Sequence, residues 1–266
     1  SYDNASVRIS VRHSWQRTSS FDFLIGEFRW GGFDYLGESN FWPTRFHSFG
    51  VIDLCGFPKD HFYLLQSLWS DKPMVHILPH WTHPGKEGVK IPVVAYTNCD
   101  EVELRLNGNS LSRQTYKGEQ LVWMVPYSTG TIEAVAYKDG KQIAEDSYRT
   151  AGDAAKVEIS GDRETVLANN RDVIHLEVTI ADSHGTLVPK ADNLVKFDIA
   201  GPARLLGVEN GDPLDHALHK VPQRKAFRGK CLLILQSTGE PGTITVTASS
   251  DGLEAGKVKI LSRQSH

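Results

Sequence analysis

From Val102 onward the sequence is divided into short alternating runs, and this pattern limits the fold more than any other feature. Val102, Leu104 and Leu106 alternate with Glu103 and Arg105 and end at Asn107-Gly108. An alternating run closed by Asn-Gly is the strongest short-range signal for a β-hairpin. Leu121–Val125 and Ile132–Tyr137 follow, then Asp139-Gly140 and a further run to Tyr148. Strands spaced by about 8–12 residues with such turns predict a β-sandwich of about 80 residues. Thr150–Ala154 is a string of small residues that reads as a linker. Beyond it Val157–Ile159 opens a second set of strands. Ile174, Leu176, Val178 and Ile180 face one way, His175, Glu177 and Thr179 the other, and Asp182–Gly185 closes a turn. With Val195–Ile199, Phe227–Leu235, Thr243–Ala248 and Lys257–Ile260 they predict a second sandwich of about 110 residues.

The residues ahead of Pro73 follow other rules. Pro58 precedes Lys59–Trp69, where Phe62, Leu65 and Trp69 fall on one helical face, so this stretch predicts a helix of about three turns. Residues 5–18 admit two readings: Val7, Ile9 and Val11 alternate like a strand, while Val7, Val11 and Trp15 form a helical stripe. Phe21–Glu38 is the most unusual stretch. Its apolar run from Phe23 through Phe28 to Trp30 suits a parallel strand covered on both faces. Gly31-Gly32 then permits a sharp turn or a close approach, and Phe33, Asp34, Tyr35 and Glu38 follow at once. Strand, glycine turn, then aromatics and acids is how α/β proteins build a sugar site at the C-terminal end of a strand. A merely packed aromatic loop is the plainer reading.

The sequence GEFRWGGFDYLGE resembles the segment containing the eighth barrel strand of glycoside hydrolase family 2, the β-galactosidase and β-glucuronidase family. The likeness continues through Phe41-Trp42-Pro43, Ser48–Leu54, Gly56–Asp60, Tyr63, Trp69 and Leu78–Trp81. Two departures are visible: Gly31 stands where the family usually has Thr, and Ser39 where Pro is common. The hairpin VELRLNGNSL is similar to that of the immunoglobulin-like domain that follows the barrel in the family. Gly207–Pro213 and Ala226–Lys230 resemble its terminal immunoglobulin-like domain.

The resemblance implies a mainly β chain. Residues 1–70 would be the last strand and helices of an incomplete (β/α)₈ barrel, with immunoglobulin-like sandwiches at 71–150 and 151–266. It also favours a helix within residues 5–18. A whole barrel takes about 250 residues and only about 70 precede the first sandwich. The abrupt start at Ser1-Tyr2-Asp3, without Met, has the look of a fragment, so a missing signal peptide says nothing about export.

At 40% hydrophobic and 23% charged residues the chain is globular. A net charge of −3 without a basic run argues against nucleic acid and anionic membrane as partners. No apolar stretch reaches the roughly 20 residues of a membrane helix. Cys55, Cys99 and Cys231 are too few and too scattered for a disulfide framework or metal motif, and read as buried thiols.

Retaining glycoside hydrolysis needs two carboxyl groups about 5–5.5 Å apart. Glu27 and Glu38 are the tempting pair, yet alternation places Glu27 on the face opposite Trp30. In the family both catalytic glutamates lie on the fourth and seventh barrel strands, so no catalytic residue is expected here. Trp30 can stack on a pyranose, and in the family the tryptophan at this position lines the sugar subsite; its plainer role is to plug the barrel. Asp34 and Glu38 can accept hydrogen bonds from sugar hydroxyls, or hold the loop.

His76, His80 and His83 have helical spacing, but Pro79 and Pro84 break any helix and no metal site is expected. Glu209 and Asp212 can serve a calcium or sugar turn, although an ordinary connection is the simpler reading.

The resulting expectation is the C-terminal part of a retaining, exo-acting β-galactosidase, without a cofactor. It would act on a terminal β-linked glycan outside the cytoplasm of a glycan-degrading bacterium. The sandwiches would buttress the barrel, shape access, or mediate homodimerisation. The rival is a β-sandwich module that binds glycan or protein without turnover, with Trp81, Trp123 and Tyr127 as its available aromatics.

Overall fold

A computed structural model describes residues 10–39 and 41–264. The elements begin with helix α1 (Val11–Ser19), the short strands β1 (Tyr35–Leu36) and β2 (Phe46–His47), and helix α2 (Asp60–Trp69). Seven strands follow: β3 (Val75–Leu78), β4 (Lys90–Thr97), β5 (Glu101–Leu106), β6 (Asn109–Thr115), β7 (Leu121–Pro126), β8 (Thr131–Lys138) and β9 (Lys141–Arg149). The remainder are β10 (Lys156–Gly161), β11 (Thr165–Leu167), β12 (Val173–Ala181), β13 (Leu194–Ala200), β14 (Ala203–Glu209), β15 (Gln223–Lys225), β16 (Lys230–Ser237), β17 (Gly242–Ser249) and β18 (Gly256–Arg263). They form two compact units. One holds the described residues up to Asp34 together with Phe49–Thr150; the other holds Tyr35–Ser48 together with the described residues from Ala151.

In the first unit a three-stranded sheet, β3-β4-β7, and a four-stranded sheet, β6-β5-β8-β9, share one core. Ile77, Val93, Leu104, Ile132 and Trp81 lie at its centre. Alternation along β4 explains how a second layer is added. Ile91, Val93 and Ala95 enter the sandwich core, whereas Val94 and Tyr96 point the other way and meet Val11, Leu64 and Leu65. Helices α1 and α2 thus cover the outer face of this sheet. Ser10 caps α1 by accepting from His13 N, which resolves the ambiguous stretch in favour of a helix from Val11. The part of that stretch before residue 10 lies outside the described residues. Among the described residues, no helix is long and apolar enough to cross a membrane.

Trp81, Trp123 and Tyr127 do not form an exposed aromatic face; all three are buried in the sandwich core. Trp81 Nε1 donates to Ser128 O at 2.9 Å and Trp123 Nε1 to Ser112 Oγ at 2.8 Å, so burial leaves neither indole donor unmet. It is Val122 and Met124 that look outward.

The strand expected over 23–30 does not form among the described residues. Parallel strands are held by hydrogen bonds to neighbours on either side, and the described chain supplies no such neighbours here. The segment is instead fastened by its polar residues. Glu27 accepts from Ser14 Oγ at 2.7 Å and Thr18 Oγ1 at 2.9 Å, and Arg29 Nη2 donates to Val11 O at 3.0 Å. The apolar residues are left outside, with Ile25 106% and Phe28 104% exposed.

In the second unit the sheets are β10-β12-β16-β14 and β11-β18-β17-β13-β15. Every pairing is antiparallel except β11 with β18. Leu176, Val178, Leu233, Val246 and Ile244 are fully enclosed between them. The run expected from Phe227 starts as a strand only at Lys230, because Arg228-Gly229 takes positive φ and turns the chain. The two-residue strands β1 and β2 pair antiparallel, Tyr35 opposite His47, and close the excursion 35–48.

Candidate functional site

The glycine turn is built by two strips of backbone. Gly32 O accepts from Val51 N and Ile52 N, both at 3.1 Å, and Asp34 N donates to Ile52 O at 2.9 Å. Gly50 is pressed so closely on this strip that a Cβ there would lie 2.1 Å from Asp34 N, which is why the position is glycine. Asp34 is buried, and its Oδ1 accepts from Gly50 N at 2.9 Å and Lys59 Nζ at 2.6 Å. Its visible contacts therefore hold the turn. Asp53 supports the same loop by accepting from Cys55 N and Phe57 N at 2.8 and 2.9 Å. Burial pushes its carboxyl up, and Asp34 adds to that, against the opposing pull of those two amides.

Trp30 stands 80% exposed just before this turn. Glu38, in the second unit, takes φ 46 and accepts from Tyr35 OH at 3.2 Å. Tyr35 in turn stacks on His47, ring centroids 5.9 Å apart. Glu27 is committed to α1. Its burial would raise the carboxyl, but the hydroxyls of Ser14 and Thr18 and the Arg29 guanidinium outweigh that and hold it below its usual range.

The excursion 35–48 carries a residue that sequence reasoning missed. Arg45 forks onto Glu209, with Nη1 3.1 Å from Oε2 and Nη2 2.5 Å from Oε1, while its Nε donates to Asp212 O at 3.1 Å. Arg224, fully buried, donates to the same carboxylate at 3.2 Å and lies 3.1 Å from Asp215 Oδ2. Glu209 also accepts from Asn210 N and Gly211 N. This carboxylate is thus occupied by arginines and backbone amides, and Asp212 caps its own turn by accepting from Leu214 N. Among the described residues no three His, Cys, Asp or Glu side chains are grouped to hold a metal ion.

His76, His80 and His83 also separate. His80 and His83 stack on each other at 4.8 Å, whereas His76 is buried between Asp60 and Asp146. Its Nε2 is 3.0 Å from Asp60 Oδ1 and its Nδ1 3.3 Å from Asp146 Oδ2, with Tyr63 stacked 3.8 Å away. Burial pulls the imidazole down, yet the hydrogen bonds to Asp146 and Asp60 win and raise it above its ordinary value. The three cysteines are buried and form no disulfide; burial pushes the Cys231 thiol up to about 12.

Residues 157–259 match the glycoside hydrolase family 2 C-terminal domain 5, and residues 88–144 match a domain of unknown function (DUF4982). A β-galactosidase of Bacteroides ovatus is 40% identical over 98% of this chain and 31% of its own length. The chain belongs to glycoside hydrolase family 2. A β-glucuronidase of Formosa agariphila, 27% identical over 95% of this chain and 26% of its own, extends the family likeness. In three dimensions the chain is similar to a β-glycosidase from Bacteroides vulgatus, with TM-score 0.95 and 53% identity over 98% of this chain and 34% of that one. It is also similar to a family 2 member from Bacteroides cellulosilyticus, with TM-score 0.88 and 31% identity over 96% of this chain and 38% of that one. The chain therefore spans about a third of the length of these family 2 relatives.

Proposed function

We propose that this chain is the C-terminal part of a retaining, exo-acting β-galactosidase, and that on its own it does not turn substrate over. The observation that carries the reading is the 40% identity to a β-galactosidase across 98% of the chain. The exposed apolar side chains of residues 23–30 fit the reading as well, because they are what a barrel strand presents when its covering layers are not there. In the intact enzyme Trp30 would stack on the apolar face of the terminal sugar, with Glu38 and Asp34 as acceptors for its hydroxyls. The acid/base and nucleophile would come from outside these residues, since Glu27 is held by α1.

The test is to assay the full-length enzyme on nitrophenyl β-galactoside, β-glucuronide and β-mannoside. The galactoside should give the largest kcat/KM, and a preference for the glucuronide would overturn the assignment. The isolated chain should be inactive on all three. Turnover by it that disappears in Glu27→Gln or Glu38→Gln would show that the catalytic pair is here after all.

A further inference from the structure

Arg45 lies at the far end of the 35–48 excursion from Glu38, and its partner in the sandwich is 164 residues away along the chain. The geometry is that of a clamp. A bidentate guanidinium–carboxylate pair fixes angle as well as distance, and here the side chains of Arg45 and Glu209 are only 9% and 11% exposed. Arg45 also uses its backbone, its N–H donating to Pro213 O at 3.0 Å. The charges balance, because Arg45 and Arg224 are matched by Glu209 and Asp215. Asn210 Nδ2 donates to Asp215 Oδ2 and Arg224 Nη1 to Ala217 O, while Arg224 Nε faces Asp215 Oδ2 as an ion pair at 3.1 Å. A second fastening lies beside the first: His216 Nε2 is 2.7 Å from Pro43 O, and its ring packs on Trp42 with centroids 5.0 Å apart. The β1–β2 pairing closes the loop above these anchors.

We infer that Glu209 and Arg224 of the C-terminal sandwich are positioning residues for the sugar-binding loop, acting through Arg45 to fix where Glu38 is presented. The inference rests on the function proposed above and assigns this sandwich a part in substrate binding. Among its described residues the loop has almost no regular structure of its own: two paired dipeptides cannot hold a 14-residue excursion in one place. The sandwich supplies the rigidity, and a loss at Glu209 should appear as a misplaced loop with the sandwich intact.

Hydrogen exchange on this chain and kinetics on the full-length enzyme test it together. Glu209→Gln keeps the volume but turns an amide N–H₂ toward a guanidinium. Exchange at the Arg45 amide should accelerate roughly tenfold or more, the factor that goes with losing a hydrogen bond to a charged group. Amides of β16 should keep their protection. In the full-length enzyme kcat/KM on the β-galactoside should fall about tenfold, mostly through KM, as expected for lost substrate positioning. Arg45→Lys, which keeps the charge and loses the fork, should lie between wild type and Glu209→Gln. Glu177→Gln, which breaks a half-exposed pair with Lys230 in the same sandwich, should change neither readout. Unchanged exchange at Arg45 in both clamp variants overturns the inference, and so does faster exchange with unchanged kinetics. A wild-type enzyme inactive on every β-glycoside overturns the functional reading and this inference with it. Failure of the clamp itself is distinguished by the exchange response, which would then be absent.

Discussion

Along β12, Ile174, Leu176, Val178 and Ile180 are sealed in a core, while along the stretch from Phe23 to Trp30 equally apolar side chains stand in solvent. Local hydrophobicity does not separate the two; the second run carries more aromatic surface. What separates them is the company each keeps. β12 has β10 on one edge and β16 on the other, with the five-stranded sheet closing over its apolar face. The N-terminal run is fastened to α1 through Glu27 and Arg29, and no sheet lies against it among the described residues. An apolar run supplies the drive toward burial; a covering surface decides whether burial happens.

The largest effect should come from the sealed run. Leu176→Ala removes a side chain with no exposure from the centre of the second sandwich, at a cost of roughly 2–5 kcal/mol. Chemical denaturation followed by far-UV circular dichroism measures it. A loss below about 1 kcal/mol would mean that the core closes over the gap, and the contrast with the exposed run would weaken.

Much of the sealed part was legible beforehand, because its rules are local. Asn107-Gly108 and Asp139-Gly140 take positive φ in the two hairpin turns as the residue types require; β12 buries the residues that its alternation selects, and β5 buries Val102 and Leu104 with Leu106 half-buried at its end. β4 escaped reading although Ile91, Val93 and Ala95 alternate along it; the other strands that escaped lack that signal. β11 and β15 are three residues each, β14 breaks its alternation at a register shift between Leu205 and Gly207, and β3 loses it because α2 and the sandwich cover both of its faces. At the candidate site, residue type pointed to Trp30, Asp34 and Glu38, but type cannot tell a sugar ligand from the anchor that Asp34 makes with Gly50 and Lys59. Arg45 carried no signal at all, and Glu209 was legible only as part of a turn that could hold calcium or sugar. Their pairing belongs to no local pattern, and only folding brings them together.

A smaller effect should follow from loosening a cover that is present. His76 ties α2 to the sandwich through Asp60 and Asp146, with Tyr63 stacked on it and Tyr148 close to Asp146. Its native value is raised above the unfolded one of about 6.5. The stabilisation is therefore complete below about pH 6.5 and disappears as pH rises through the native value, where the folded state gives up its proton as well. Melting curves on either side of that window should show the wild type losing stability with rising pH, and His76→Gln losing less. At the acid end His76→Gln itself should cost about 1–3 kcal/mol, the scale of charged hydrogen bonds left unmade. If the two pH slopes coincide, His76 does not hold the helix.

The smallest effect is expected where the comparison began. In this chain Phe28→Ser replaces a ring that is already fully exposed, so stability should move by no more than about 0.5 kcal/mol. The chain should also become less prone to self-associate, because an exposed aromatic surface is lost. The same substitution in the full-length enzyme has the opposite expectation. If the barrel of the proposed glycosidase covers this segment, deleting the ring should cost roughly 3–5 kcal/mol, as buried Phe deletions do. A gap of that size between the two contexts would locate the missing cover in the rest of the protein. Equal and negligible losses in both would mean that residues 23–30 are never covered, and that their apolar character needs an explanation other than a barrel strand.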